Sequence, residues 1–178
     1  MNSSDFIARF LSDEAPQLNF EAKVRTPDRF TEAFRELMGH NDPEWTFTSF
    51  ESDCDELILV KDIPFVSLCE HHLLPFIGRA HVGYIPQGRV AGLSKIARVV
   101  KKQCRGLWMQ ENLTLSIADF LEKELNPLAV GVVMEAEHSC MVIRGVRAQG
   151  STTTTSAMRG VFRDNTNSAR SEFLGLLK

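Results

Sequence analysis

The chain has 178 residues, 43% of them apolar, and a formal net charge of −3. That length supports one domain with a sizeable core, and the faintly acidic balance argues against a protein whose main task is gripping nucleic acid. No apolar run approaches membrane-spanning length; Met1-Asn2-Ser3-Ser4-Asp5 lacks the basic start and apolar core of a secretory leader, so a cytoplasmic location with reduced cysteines is expected.

In chain order, residues 4–12 are predicted to form a short amphipathic helix capped by Ser4 or Asp5, with Phe6, Ile7, Phe10 and Leu11 on one face. A second helix is expected to start at Thr26-Pro27, cap then first helical residue, and to end at Gly39, with Phe30, Phe34 and Leu37 inward. Residues 40–53 read as loop with a short extended piece. Glu56–Val60 and Ile63–Leu68 suggest one long strand interrupted near Asp62 and Pro64, and Ile77–Ile85 its antiparallel partner. Pro86-Gln87-Gly88 marks a turn. Helices follow over Ser94–Arg105, with Leu93, Ile96, Ala97 and Val100 as its stripe, and over Gln110–Leu125, stopped by Asn126-Pro127. Val130–Ala136 reads as a buried strand, Met141–Val146 as continued β structure, Thr152–Thr155 as a strand, and Ser168–Leu177 as a last helix. The predicted fold class is α+β, an antiparallel sheet with helices on one face and its other face polar or covered by partner subunits. No linker divides the chain; residues 1–50 are read as a helical extension and 51–178 as the main domain.

Chemistry concentrates in two short stretches. Cys69-Glu70-His71-His72 places thiolate and imidazole at C-x-x-H spacing, and His138-Ser139-Cys140 adds a histidine and a cysteine far downstream. These are zinc's preferred ligand types. On a strand, residues two apart point to the same face, so His138 and Cys140 are expected to face one way together. Five side chains then compete for one ion, and spacing alone does not choose between a closed structural site and an open catalytic one. The surplus imidazoles favour catalysis, since they remain beside the metal for proton transfer. Cys54 and Cys104 have no histidine nearby and read as bystanders. Ser94, Lys95 and Arg98 sit at the positive end of their helix, where phosphate oxygens bind; a solvated basic face is the alternative, since Lys101, Lys102 and Arg105 follow. Glu111, with Gln110, opens the next helix. Its carboxylate is either capping chemistry or a match to the adjacent N1–H and N2 donors of guanine, which adenine lacks.

Cys69-Glu70-His71-His72-Leu73-Leu74-Pro75-Phe76, Gly83-Tyr84-Ile85-Pro86, Gly92-Leu93-Ser94-Lys95-Ile96-Ala97-Arg98, Gln110-Glu111-x-Leu113-Thr114 and Glu135-Ala136-x-His138-x-Cys140-Met141 with Arg144-Gly145 resemble GTP cyclohydrolase I. So do Phe162-Arg163-Asp164-Asn165 and Glu172-Phe173-Leu174, so the resemblance covers roughly residues 26–178. It implies the tunnelling fold, in which sheets of several subunits join into a barrel, and a toroidal homodecamer with active sites between subunits. It implies zinc held by Cys69, His72 and Cys140, His138 as general acid at guanine N7, and His71 assisting near the ribose. Glu111 with Gln110 would grip the guanine edge, while Ser94, Lys95, Arg98, Arg144 and Arg29 would hold the triphosphate. The implied reaction opens the imidazole ring of GTP by hydrolysis, releases formate and yields 7,8-dihydroneopterin triphosphate. No nucleic acid or membrane partner is expected. Gly106 and Asn112 stand where the family carries arginines, and Glu32 where some members carry lysine. A zinc-stabilised binding protein without turnover, or a related enzyme acting on another purine or pterin, are the alternatives.

Overall fold

A computed structural model describes residues 2–166 and 168–178, and these group into two compact units, Met1–Pro43 and Glu44–Lys178. The first unit is an αα-hairpin of α1 (Ser3–Glu14) and α2 (Phe20–Leu37). Helix α1 is capped by Asn2 rather than by Ser4 or Asp5. The Asn2 side chain accepts from the Asp5 amide at 2.8 Å, and the Asp5 carboxylate accepts from the Asn2 amide at 3.2 Å. Helix α2 begins seven residues before the expected Pro27. Asn19 accepts from the Ala22 amide at 2.8 Å and opens the helix there. Pro27 lies in its interior, where the missing amide costs one hydrogen bond that the remaining turns tolerate. Phe30 and Phe34 stack at 5.9 Å along α2, and Ser4 donates to Asp28 between the two helices.

In the second unit, β1 (Ser49–Glu51) pairs with β4 (Arg89–Ala91), so the expected loop before residue 53 does hold an extended piece. The main sheet comprises β2 (Ile58–Cys69), β3 (Pro75–Ile85), β5 (Leu107–Trp108), β6 (Ala129–His138) and β7 (Thr153–Gly160), in the order β5-β2-β3-β6-β7. All pairings are antiparallel except the short β2–β5 contact, which the sequence reading missed. Strand β2 is interrupted between Val60 and Ile63, where Asp62 has φ +56° and its amide donates to His81 Nδ1 at 3.2 Å.

One sheet face is packed by α3 (Leu93–Gln103) and α4 (Gln110–Leu125). Their Ile96, Val99, Val100, Leu113, Ile117 and Leu121 meet Phe65, Phe76, Val82, Tyr84, Val132 and Met134. Leu93, expected on this stripe, is 66% exposed, because the first turn of α3 lies beyond the core. Asn126 takes the left-handed cap that ends α4. The opposite face is not left bare along its whole length. Helix α6 (Ser168–Leu176) drops Phe173 into a notch made by Gly83 and Gly131, which are register partners on β3 and β6. A Cβ on either glycine would lie 2.7 Å from that ring. Lys61 ties the helix down further, donating to Leu176 O at 2.7 Å.

The largest departure lies after β6. That strand stops at His138; Ser139–Val142 form one helical turn, α5, and Gly145 (φ +60°) and Arg147 (φ +51°) bend the chain away. Met141–Val146 is therefore not a strand, and the inference that His138 and Cys140 share a strand face is wrong. Apolar content there mimicked β structure, but Gly145 and the left-handed backbone at Arg147 cannot continue a ladder.

Candidate metal centre and active site

Three chain segments converge at one end of the sheet. Strand β2 delivers Cys69, 8% exposed, into a tight turn closed by Cys69 N–H to Leu74 O at 2.8 Å and Leu73 N–H to Cys69 O at 2.9 Å. Leu73 takes φ +55° to make it. The turn folds His72 back, so that its Nδ1 lies 3.4 Å from Cys69 Sγ. Turn α5 then brings in Cys140, and the ligand atoms of Cys69, His72 and Cys140 all lie within 4.8 Å of one another. What a shared strand face was expected to do, a helical turn does instead.

The donor set suits a thiophilic dication. Burial, then the neighbouring Cys69 sulfur, push the Cys140 thiol above its usual range, with Arg144 opposing. A metal beside the Cys140 sulfur would offset that effect by stabilising the thiolate. Three protein ligands also match an open rather than a closed zinc site. Cys104 is different: it is buried and its thiol is pushed up to about 12, as suits an inert core residue.

His138 ends β6 opposite Phe76 of β3, and the two rings stack at 4.6 Å and 2°. Burial holds its imidazole below the usual range, while the Glu111 carboxylate pulls the other way. Glu111 is exposed on the first turn of α4, which starts just after β5 pairs with Cys69. Gln110 is 2% exposed, and its side chain reaches Met134, Thr153, Thr155 and His138 rather than solvent. His71 is exposed, its ring edge-on to His72 at 6.2 Å and its Nε2 3.7 Å from Glu70.

Ser94, Lys95 and Arg98 sit on another part of this unit. Strand β3 has 11 residues and carries the chain about 33 Å away before β4 and α3 begin. Ser94, Lys95 and Arg98 lie in the first half of α3, which only starts to return. Lys95 donates to Thr46 O at 2.9 Å and sits 5.9 Å from the Trp45 ring. Arg144 is near enough to Cys140 to lower its thiol's pKa, and Arg29 is exposed on α2. Phe76, Thr114 and Thr155, all built into the site's walls, were missed as such. The alternation of Thr153 and Thr155 on one strand face was the available signal.

The architecture is shared with the crystal structure of the archaeosine synthase QueF-Like in the apo form. The TM-score is 0.50 at 21% identity, covering 62% of this chain and 97% of that one. Sheet, helices and a three-ligand cluster at the strand ends therefore define a tunnelling-fold protein with a candidate metal site. Among sequences, GTP cyclohydrolase 1 of Methylococcus capsulatus is 47% identical over 174 residues, 96% of this chain and 94% of its relative. That of Mycobacterium bovis is 54% identical over 159 residues, 86% and 78% of the two chains. The family profile described as GTP cyclohydrolase I matches residues 5–178, and the chain belongs to that family.

Proposed function

We propose that this protein is a zinc-dependent GTP cyclohydrolase I that converts GTP to 7,8-dihydroneopterin triphosphate and formate, the first step of pterin and tetrahydrofolate synthesis. The observation that carries it is the Cys69–His72–Cys140 cluster beside His138 and Glu111, within a chain of this family. A zinc ion held by Cys69, His72 and Cys140 would supply the Lewis acidity that activates water at neutral pH. His138 hands a proton to N7 of the purine as the ring opens, and His71 serves the ribose. Glu111 accepts from N1–H and the N2 amine, which excludes adenine. Ser94, Lys95, Arg98 and Arg144, with Arg29, hold the triphosphate.

Ser94, Lys95 and Arg98 begin α3, beyond the far end of β3 from Cys69, whereas Arg144 lies beside Cys140. That separation supports a homo-oligomer, a decamer by family resemblance, in which the α3 residues of a second copy complete each site. Four free cysteines, two of them in the cluster, suit a reducing compartment, and we place the enzyme in the cytoplasm. Among the described residues no helix is long and apolar enough to cross a membrane.

The test is incubation of purified, zinc-loaded protein with GTP and, separately, ATP. Formate and a fluorescent neopterin after oxidation are expected from GTP alone. Comparable opening of ATP would remove Glu111 from its role. Zinc bound without any formate would favour a non-catalytic binding protein.

A further inference from the structure

The side-chain amide of Gln110 is oriented without ambiguity by its surroundings. Its nitrogen lies 3.1 Å from Met134 O and 3.0 Å from Thr153 O, both backbone carbonyls that only accept. The nitrogen is also 3.0 Å from Thr155 Oγ1. The hydroxyl protons follow in order. Thr114 Oγ1 donates to Gln110 O at 2.7 Å, so Thr155 must donate across its own 2.7 Å contact with Thr114 Oγ1. That leaves Thr155 Oγ1 free to accept from Gln110. The other end of the amide, Oε1, carries no hydrogen and lies 2.7 Å from His138 Nε2. At this contact the proton must therefore sit on the imidazole.

We propose that Gln110 is a positioning residue that keeps one proton on His138 Nε2, so that the proton passed to the purine is the one carried on Nδ1 of the imidazolium and the ring is left as the neutral Nε2–H form. A neutral imidazole has one N–H, and nothing about His138 alone selects which nitrogen bears it. Phe76 sets the plane of the ring by stacking, and Gln110 sets its rotation within that plane and its tautomer. Gln110 can do this because it opens α4 and is buried against the β6–β7 ladder, where Met134 pairs with Thr155 and Ala136 with Thr153. The inference rests on His138 being the proton donor of the proposed reaction and deepens that reading.

Neutron diffraction from perdeuterated holoenzyme tests it directly. Deuterium on His138 Nε2, pointing at Gln110 Oε1, is expected. A bare Nε2, or an amide turned to present its nitrogen to the ring, overturns the proposal. Gln110→Met keeps the side-chain length but removes donor and acceptor. Its zinc content and KM for GTP should match the wild type while kcat falls on the order of 10²-fold, as a misplaced proton donor implies. An unchanged kcat, or a loss confined to KM, overturns it equally. If Gln110→Met does not fold, the neutron map alone decides. Absence of GTP turnover by the wild-type protein would overturn the function itself, an outcome on which the deuterium position does not depend.

Discussion

The two ends of the sheet are built on different terms. At one end, the strand terminus of β2, the start of β3, the end of β6 and the first turn of α4 bring metal ligands, a stacked histidine and a carboxylate together within one chain. At the other, Ser94, Lys95 and Arg98 open a helix with no such centre beside them, and Lys95 leans on Trp45 and the Thr46 carbonyl. In the proposed reading, metal and proton chemistry belong to the single chain and triphosphate binding to the proposed assembly.

The contrast breaks most completely at Cys140. Cys140→Ser should fold but lose its zinc, with an affinity deficit beyond the roughly 10–100-fold contributed by outer partners of metal ligands; metal analysis that still finds one zinc per chain would refute the ligand set. His138→Ala should retain about one zinc per chain and lose kcat by about 10²–10⁴-fold. Zinc loss in that variant would point to a closed four-ligand site.

Arg98→Ala probes the other end. It should leave zinc untouched and raise KM for GTP by about 10–100-fold, the worth of a charge-assisted contact. Mixing it with Cys140→Ser after dissociation and reassembly should restore turnover at low GTP concentration, where neither variant alone is effective, because each damages a different contributor to the proposed shared site. No recovery in mixed oligomers would place both residues in a site made by one chain. The smallest effect is expected at Gly131→Ala. The added methyl meets Phe173 and should lower stability by about 1–3 kcal/mol in urea titrations, with zinc content unchanged.

Much of the fold was legible because long amphipathic segments announce themselves. Strands β2, β3 and β6 and helix α4 carry their period over ten or more residues. Cys69-Glu70-His71-His72 was legible because four reactive side chains in a row have no packing purpose. Local signals misled where two of them competed. Thr26-Pro27 is a good helix start, yet Asn19 caps earlier and the helix runs through the proline. Met141–Val146 has apolar content but no room for a ladder after Gly145. The role of Gln110 was invisible, because a buried amide declares its partners only when Met134, Thr153 and His138 are folded around it.

Strand β7 lies at the sheet margin, and among the described residues it pairs with β6 alone. Its eight residues include no proline, and its single charge, Arg159, is turned toward Asp119 at 2.6 Å rather than guarding the border. Such a margin accepts any strand of suitable length. In the proposed homo-oligomer the same border would serve assembly and misassembly alike, and the two would compete at the rate chains collide. A variant that associates slowly would then be lost to aggregation while its intrinsic stability and chemistry remained intact.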